Sequence, residues 1–88
     1  MIIQTREHDQ AYKGYQWIVS NPGIFAGKPI VKGTRFSVSF ILDCLSQDMD
    51  AEEIEKTYGT FPKECIPEVL KFASELADRK VDDSNVAA

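Results

Sequence analysis

Two glycines, a proline and three cations fall within the nine residues Gly27-Lys28-Pro29-Ile30-Val31-Lys32-Gly33-Thr34-Arg35, and this run constrains the fold more than any other. Pro29 has no backbone N–H to give to a ladder, so Pro29-Ile30-Val31 can form only a short edge strand. Gly33 is placed to supply a backbone conformation that residues with a Cβ avoid. Thr34-Arg35-Phe36 is then expected to run extended toward a helix start at Ser37. The run separates an aromatic, strand-prone N-terminal third from a helical C-terminal half.

Ahead of it, residues 1–14 are mostly polar and lack sustained periodicity. They read as an N-terminal arm in which Ile2 and Ile3 could add a short edge strand. Tyr15-Gln16-Trp17-Ile18-Val19-Ser20 is rich in aromatic and β-branched residues and is expected to be a strand. Its faces would carry Tyr15, Trp17 and Val19 on one side and Gln16, Ile18 and Ser20 on the other. Asn21-Pro22-Gly23-Ile24 has the pattern of a type II turn, with Pro22 fixing φ and Gly23 accepting a positive φ.

Behind the run, periodicity switches to that of helices. Ser37 is a candidate N-cap for a helix over about 37–47, with Val38, Ile41, Leu42 and Leu45 on one face. Phe40 and Cys44 fall on another side, so this helix is apolar around more than half of its circumference and needs a second contact. Asp50 and Glu53 have capping-box spacing at the start of a short helix to residue 58, with Ala51, Ile54 and Tyr58 as its buried stripe and Gly59 as its stop. The third helical segment spans about 62–78. Pro67 is nearly free at a first helical position, so the regular helix is expected from Pro67 to Asp78 after a tight turn over 62–66. Val69, Phe72, Ala73 and Leu76 would face the core, joined by Leu70 and Ala77. Residues 80–88 read as a flexible tail.

Eighty-eight residues make one domain, placed over residues 15–79, and a chain of this size buries only about 60% of its unfolded-state surface, so its stability is expected to be marginal unless it oligomerises. No apolar run reaches the roughly 20 residues of a membrane span, and Met1-Ile2-Ile3 gives way too soon to polar residues for a signal peptide. The expected compartment is the cytoplasm. Cys44 and Cys65 lack metal-ligand spacing, and His8 is the only histidine, so no metal and no cofactor is expected. The net charge of −4 is split unevenly: residues 1–35 carry five cations against two acids, and residues 36–88 carry five against twelve. Such asymmetry directs an anionic partner to the N-terminal part.

Within that part, Lys28, Lys32, Thr34 and Arg35 form the best cluster for nucleic-acid phosphates or acidic groups on a protein. A structural alternative has Arg35 tying down backbone carbonyls or the acidic helix at 50–55. Pro22, Gly27, Pro29 and Gly33 are assigned to shaping the backbone. A phosphate loop fails on spacing, because five residues rather than four separate Gly27 from Gly33, and no Lys-Ser/Thr pair follows. The third helix offers Glu68, Lys71, Glu75 and Asp78 outward, mostly carboxylates, where base-reading helices offer Arg, Lys, Asn or Gln. No nucleophile–base pair is visible, and no catalytic residue is assigned.

Asn21-Pro22, then Gly27-Lys28-Pro29 and Gly33-Thr34-Arg35-Phe36-Ser37-Val38, resemble the signature of domain-of-unknown-function family 433. The resemblance extends through Ile41-Leu42 and Asp50-Ala51-Glu52-Glu53-Ile54 to about residue 77. It implies a helix-turn-helix, homeodomain-like fold and an antitoxin role beside a PIN-like ribonuclease toxin. The chain departs from the family pattern at Pro62-Lys63-Glu64, where relatives carry Thr-Pro-Glu, and at Pro67.

Residues and resemblance together lead to an α+β domain, mainly α, with short N-terminal strands or a hairpin packed on a three-helix, helix-turn-helix-like bundle. The expected function is a non-catalytic, antitoxin-like regulator that works as a homodimer, neutralises a PIN-like ribonuclease and has DNA as a second candidate partner. The alternative is a dimerisation or protein-interaction module without nucleic-acid affinity.

Overall fold

The computed structural model describes residues 6–78 and places three short antiparallel strands ahead of three helices, an α+β fold that is mainly α. The strands are β1 (Gln10–Ala11), β2 (Ile18–Ser20) and β3 (Ile30–Val31), in the spatial order β1-β2-β3. Gln10 pairs with Ser20, and Ile18 and Val19 pair with Val31 and Ile30. The helices are α1 (Val38–Ser46), α2 (Ala51–Tyr58) and α3 (Cys65–Ala77). Among the described residues no helix is long and apolar enough to cross a membrane.

The central strand is buried on both sides, because its neighbouring residues serve two different clusters. Ile18 joins Val31, Val38, Ile41, Ile54, Phe61, Val69 and Phe72 in the main core, while Val19 packs with Ile24 and Ile30 in a smaller one. β2 is shorter than the aromatic run predicts. It begins at Ile18 because the amides of Gln16 and Trp17 are taken by a side chain: both carboxylate oxygens of Glu68 accept from Gln16 N at 3.0 Å, and Oε1 accepts from Trp17 N at 2.7 Å. Glu68 is half-buried on α3, which packs against β2 and α1. It is therefore a structural ligand of the backbone and not a solvated residue of the outer helix face.

The expected polar arm is in part a working element. Beyond β1, Tyr12 packs edge-on against Phe72 with ring centroids 5.2 Å apart, and Asn21, only 6% exposed, donates to Glu7 O and Asp9 Oδ1. The proposed strand at Ile2–Ile3 and the tail at 80–88 lie outside the described residues. The Asn21–Ile24 turn closes as expected, with Ile24 N donating to Asn21 O at 2.9 Å. It is not type II, since Gly23 has no positive φ. Instead Asn21 Oδ1 accepts from Gly23 N at 2.9 Å, an Asx contact that shapes the turn.

The next turn is unusual. Phe25, Ala26 and Gly27 have φ of 50°, 54° and 82°, a left-handed turn closed by Gly27 N to Ile24 O and Lys28 N to Phe25 O, both 3.1 Å. Gly27 adopts this freely; Phe25 and Ala26 carry a Cβ there, at a cost of order 1–3 kcal/mol each. Thr34-Arg35-Phe36 is not extended as predicted. Val31 N donates to Phe36 O at 2.8 Å and Ile30 bridges Ser37, so residues 32–35 form a closed loop that doubles back on β3.

Both helix starts follow their local patterns. Ser37 Oγ accepts from Phe40 N at 3.0 Å. Asp50 and Glu53 form a reciprocal capping box, and Gly59, at φ 125°, ends α2. On α1 the deepest residues are Val38, Ile41 and Cys44, so Cys44 shares the core face that the sequence assigned to Leu42 and Leu45, which are half-buried. α3 starts at Cys65, two residues before Pro67. Pro67 still sits in the first turn, where its missing N–H leaves no carbonyl unpaired. The connection to α3 runs from Gly59 to Glu64, longer than the break before residue 62 that the sequence suggests, and Phe61 and Pro62 are buried in it.

Four residues assigned to the core are exposed: Tyr58 and Leu70 at 51%, Leu76 at 42%, and Ala77. The α3 stripe is Cys65, Val69 and Phe72, and Leu76 continues it only to border open grooves. Tyr58 lies edge-on against half-buried Phe40 at 4.9 Å, outside the core.

Truncating Glu68 removes acceptors from two amides 51 and 52 residues away. Glu68→Ala should lower the unfolding free energy by about 1.5–3 kcal/mol, the range for hydrogen bonds to a charged group. Glu75→Ala, on the same helix but exposed, should stay within about 0.5 kcal/mol of the parent in urea titrations.

Candidate functional site

The loop from Lys32 to Arg35 is held from inside by Thr34. Its hydroxyl donates to Val31 O at 2.8 Å and accepts from Phe36 N at 3.0 Å, while its own N–H donates to Val31 O at 3.1 Å. Gly33 takes the turn at φ 79°. From outside, Arg6 Nη1 donates to Thr34 O at 2.6 Å, so a guanidinium from the N-terminal arm clamps the loop. Thr34 therefore has its polar groups committed to the backbone and belongs with the residues that shape the loop.

Arg35 is the opposite case. It is exposed, and no hydrogen bond or ion pair joins it to another described residue, so it does not tie down carbonyls or the acidic helix. The carbonyl-binding role considered for it is performed by Arg6. Lys32 is half-buried, with its N–H donating to Trp17 O at 2.8 Å. Lys28 stands before β3 and Lys32 after it, so the strand keeps them apart by up to about 13 Å of extended chain. The structure thus groups Lys32, Thr34 and Arg35 on one loop and leaves Lys28 at the other end of β3. Ile30, which an extended run would put on one face with the two lysines, is fully buried.

The four backbone-shaping residues divide similarly. Gly27 and Gly33 hold positive φ, Pro22 is exposed in the Asn21–Ile24 turn, and Pro29 offers its carbonyl to Val38 N at 2.9 Å, joining β3 to the first turn of α1. Arg6 and Glu68 escaped sequence reasoning because their contacts, 28 and more than 50 residues away, leave no local pattern.

Lys28 also stands on the rim of an apolar groove of about 240 Å³, floored by Pro29, Val38, Leu42, Phe72 and Leu76. Among the described residues no three His, Cys, Asp or Glu side chains are grouped to hold a metal ion. Both cysteines are free and buried. Burial, with the charge of Asp43, raises the Cys44 thiol; burial, with Glu64 and then Glu68, pushes Cys65 up to about 12. Neither thiol supplies a thiolate nucleophile at neutral pH.

Thr34→Val should cost roughly 1–3 kcal/mol in chemical denaturation, because it strands the Phe36 amide and removes two contacts. Arg35→Ala should leave stability within about 0.5 kcal/mol of the parent. A thiol reagent at pH 7 should modify neither cysteine in the native protein within minutes and both in denaturant; fast native labelling would contradict their burial.

The profile of the family described as Protein of unknown function (DUF433) matches residues 18–73, from the start of β2 to the buried end of α3. No match was found among curated proteins or among solved structures. The match spans 56 of 88 residues and contains the Gly27–Arg35 run, β3 and all three helix starts, so the chain belongs to the DUF433 family.

Proposed function

We propose that this protein is a non-catalytic, antitoxin-like regulator that acts as a homodimer and neutralises a PIN-like ribonuclease, with Arg35 as its principal contact. The observation that carries the reading is the contrast between two adjacent residues. Thr34 is fixed by four hydrogen bonds through its hydroxyl, N–H and C=O, and Arg35 projects from that fixed loop without a partner among the described residues. The fixed backbone leaves only the side chain of Arg35 to be ordered when it meets a carboxylate, and its planar fork suits bidentate pairing. An acidic nuclease centre is a partner of that chemistry. The compartment expected for such a pair is the cytoplasm.

DNA is the second partner in this reading and would be met through Lys28, Lys32 and Arg35. The exposed charges along α3 are Lys71 against Glu75 and Asp78, with Lys63 and Glu64 ahead of it. Phosphates gain nothing from that surface. The alternative to the whole reading is a dimerisation or protein-interaction module without nucleic-acid affinity.

Co-expression with the product of the adjacent gene tests the central part. The expected result is a complex that survives purification and in which nuclease activity is suppressed, with Arg35→Ala weakening it at least tenfold, the direction expected for loss of one partner of a desolvated charge pair. A neighbouring gene that encodes no nuclease, or a complex indifferent to Arg35→Ala, would contradict the reading. Filter binding to the operon's own promoter at several salt concentrations tests the DNA part; no binding at low salt removes it.

A further inference from the structure

No side chain of residues 6–11 is buried, so this part of the arm has no apolar anchor and is held to the body by hydrogen bonds. Those bonds run in series. Asn21, 6% exposed, is the fixed end: its Nδ2 donates to Asp9 Oδ1 at 3.0 Å and to Glu7 O at 3.1 Å. Asp9 then holds the backbone of Arg6 twice, since Oδ2 accepts from Arg6 N at 3.1 Å and Asp9 N donates to Arg6 O at 3.1 Å. Between them His8 sits at φ 72°, in a region that residues with a Cβ enter uncommonly, and the two Asp9 contacts keep the turn closed around it. From this turn the Arg6 guanidinium reaches Thr34 O at 2.6 Å, 28 residues away. Among the described residues neither Asp9 nor Asn21 has a hydrogen bond to residues 32–35, so they bear on that loop through Arg6.

We propose that residues 6–9 are a strap that locks the Lys32–Arg35 loop and opens separately from the helical body, with Arg6 as the positioning residue for the backbone that presents Arg35. Lys32 N on Trp17 O and Val31 N on Phe36 O hold the two ends of the loop, and Arg6 holds its middle. The guanidinium is a charged donor, and charge-assisted hydrogen bonds are roughly twice as strong as neutral ones. Opening is local because the strap and the helices are held differently. The strap depends on a few partly exposed hydrogen bonds beside a strand of two residues, whereas α1, α2 and α3 share the main apolar core. Segments of the first kind open at lower free energy than the core. Arg6 and Asp9 both lie outside residues 18–73, so the strap is carried by sequence that the family profile does not cover. Its bearing on a partner rests on the reading of Arg35 given above, whereas the strap itself is tested on the isolated protein, so either can fail alone.

Native-state hydrogen exchange of the Thr34 and Phe36 amides provides that test, in Arg6→Ala, Arg6→Lys, Asp9→Ala and the variant that combines the two alanines. Both amides are hydrogen-bonded within the closed loop, to Val31 O and to Thr34 Oγ1. Arg6→Ala should speed their exchange about tenfold or more, as loss of one hydrogen bond to a charged group does. Arg6→Lys keeps a cationic donor and should recover most of the protection. Asp9→Ala should speed the same two amides by a similar factor, although Asp9 touches neither. The combined variant should exchange no faster than the faster of the two single variants, because both substitutions open one strap. Amides in α1 and α3 should keep their parent rates throughout. Exchange of the loop amides at the free-peptide rate in the parent overturns the proposal, as do loop rates indifferent to either alanine. Effects that multiply in the combined variant overturn it too, since Asp9 and Arg6 would then act independently. So does equal acceleration across the helices, which would make the arm a support of the whole fold and not a strap on one loop.

Discussion

The carboxylate of Glu68 is the point at which the two halves of this protein become one structure. The strands are two or three residues long, and a sheet of that size is marginal in water unless it packs on something else. β2 meets α3 through Ile18, Val69 and Phe72, an apolar contact that fixes distance but not register. Glu68 fixes the register, because its oxygens match the amides of Gln16 and Trp17 and no others. With Trp17 placed, its carbonyl accepts from Lys32 N, β3 aligns beside β2, and the loop that displays Arg35 is positioned from the same anchor.

A second set of polar contacts works on the opposite side of that loop. Asn21 holds the arm by Glu7 and Asp9, and Arg6 reaches Thr34 O. The arm, the turn and the signature run are therefore one cooperative unit, with its hydrogen bonds made between side chains and backbone where the strands are too short to provide them. That division of labour frees Arg35 and Lys28 for other partners and leaves Phe25 exposed on a turn that the surrounding contacts hold in place.

What the sequence revealed follows from the range of each interaction. The Ser37 cap and the Asp50–Glu53 box span three residues and were legible, as were the edge-strand role of Pro29-Ile30-Val31 and the buried pair Val69 and Phe72. Glu68, Arg6 and the β1 pairing act across 8 to 52 residues and left no pattern to read. Periodicity placed Leu70 and Leu76 on apolar positions of α3 correctly as chemistry but not as burial, since burial depends on which neighbours exist beside each turn. At the candidate site the composition was legible and the division of roles was not. Four residues were grouped for a partner, and three-dimensional hydrogen bonding separates Thr34, which is structural, from Arg35, which is free among the described residues.

The most direct test of this account is hydrogen exchange of the Gln16 and Trp17 amides in the native protein. These amides precede β2 and have no ladder partner, so any protection must come from Glu68. The account predicts slow exchange at both positions, lost in Glu68→Ala together with protection at Lys32 while the α1 and α2 amides stay protected. Exchange at the free-peptide rate in the parent protein would contradict it, as would protection that survives removal of the carboxylate.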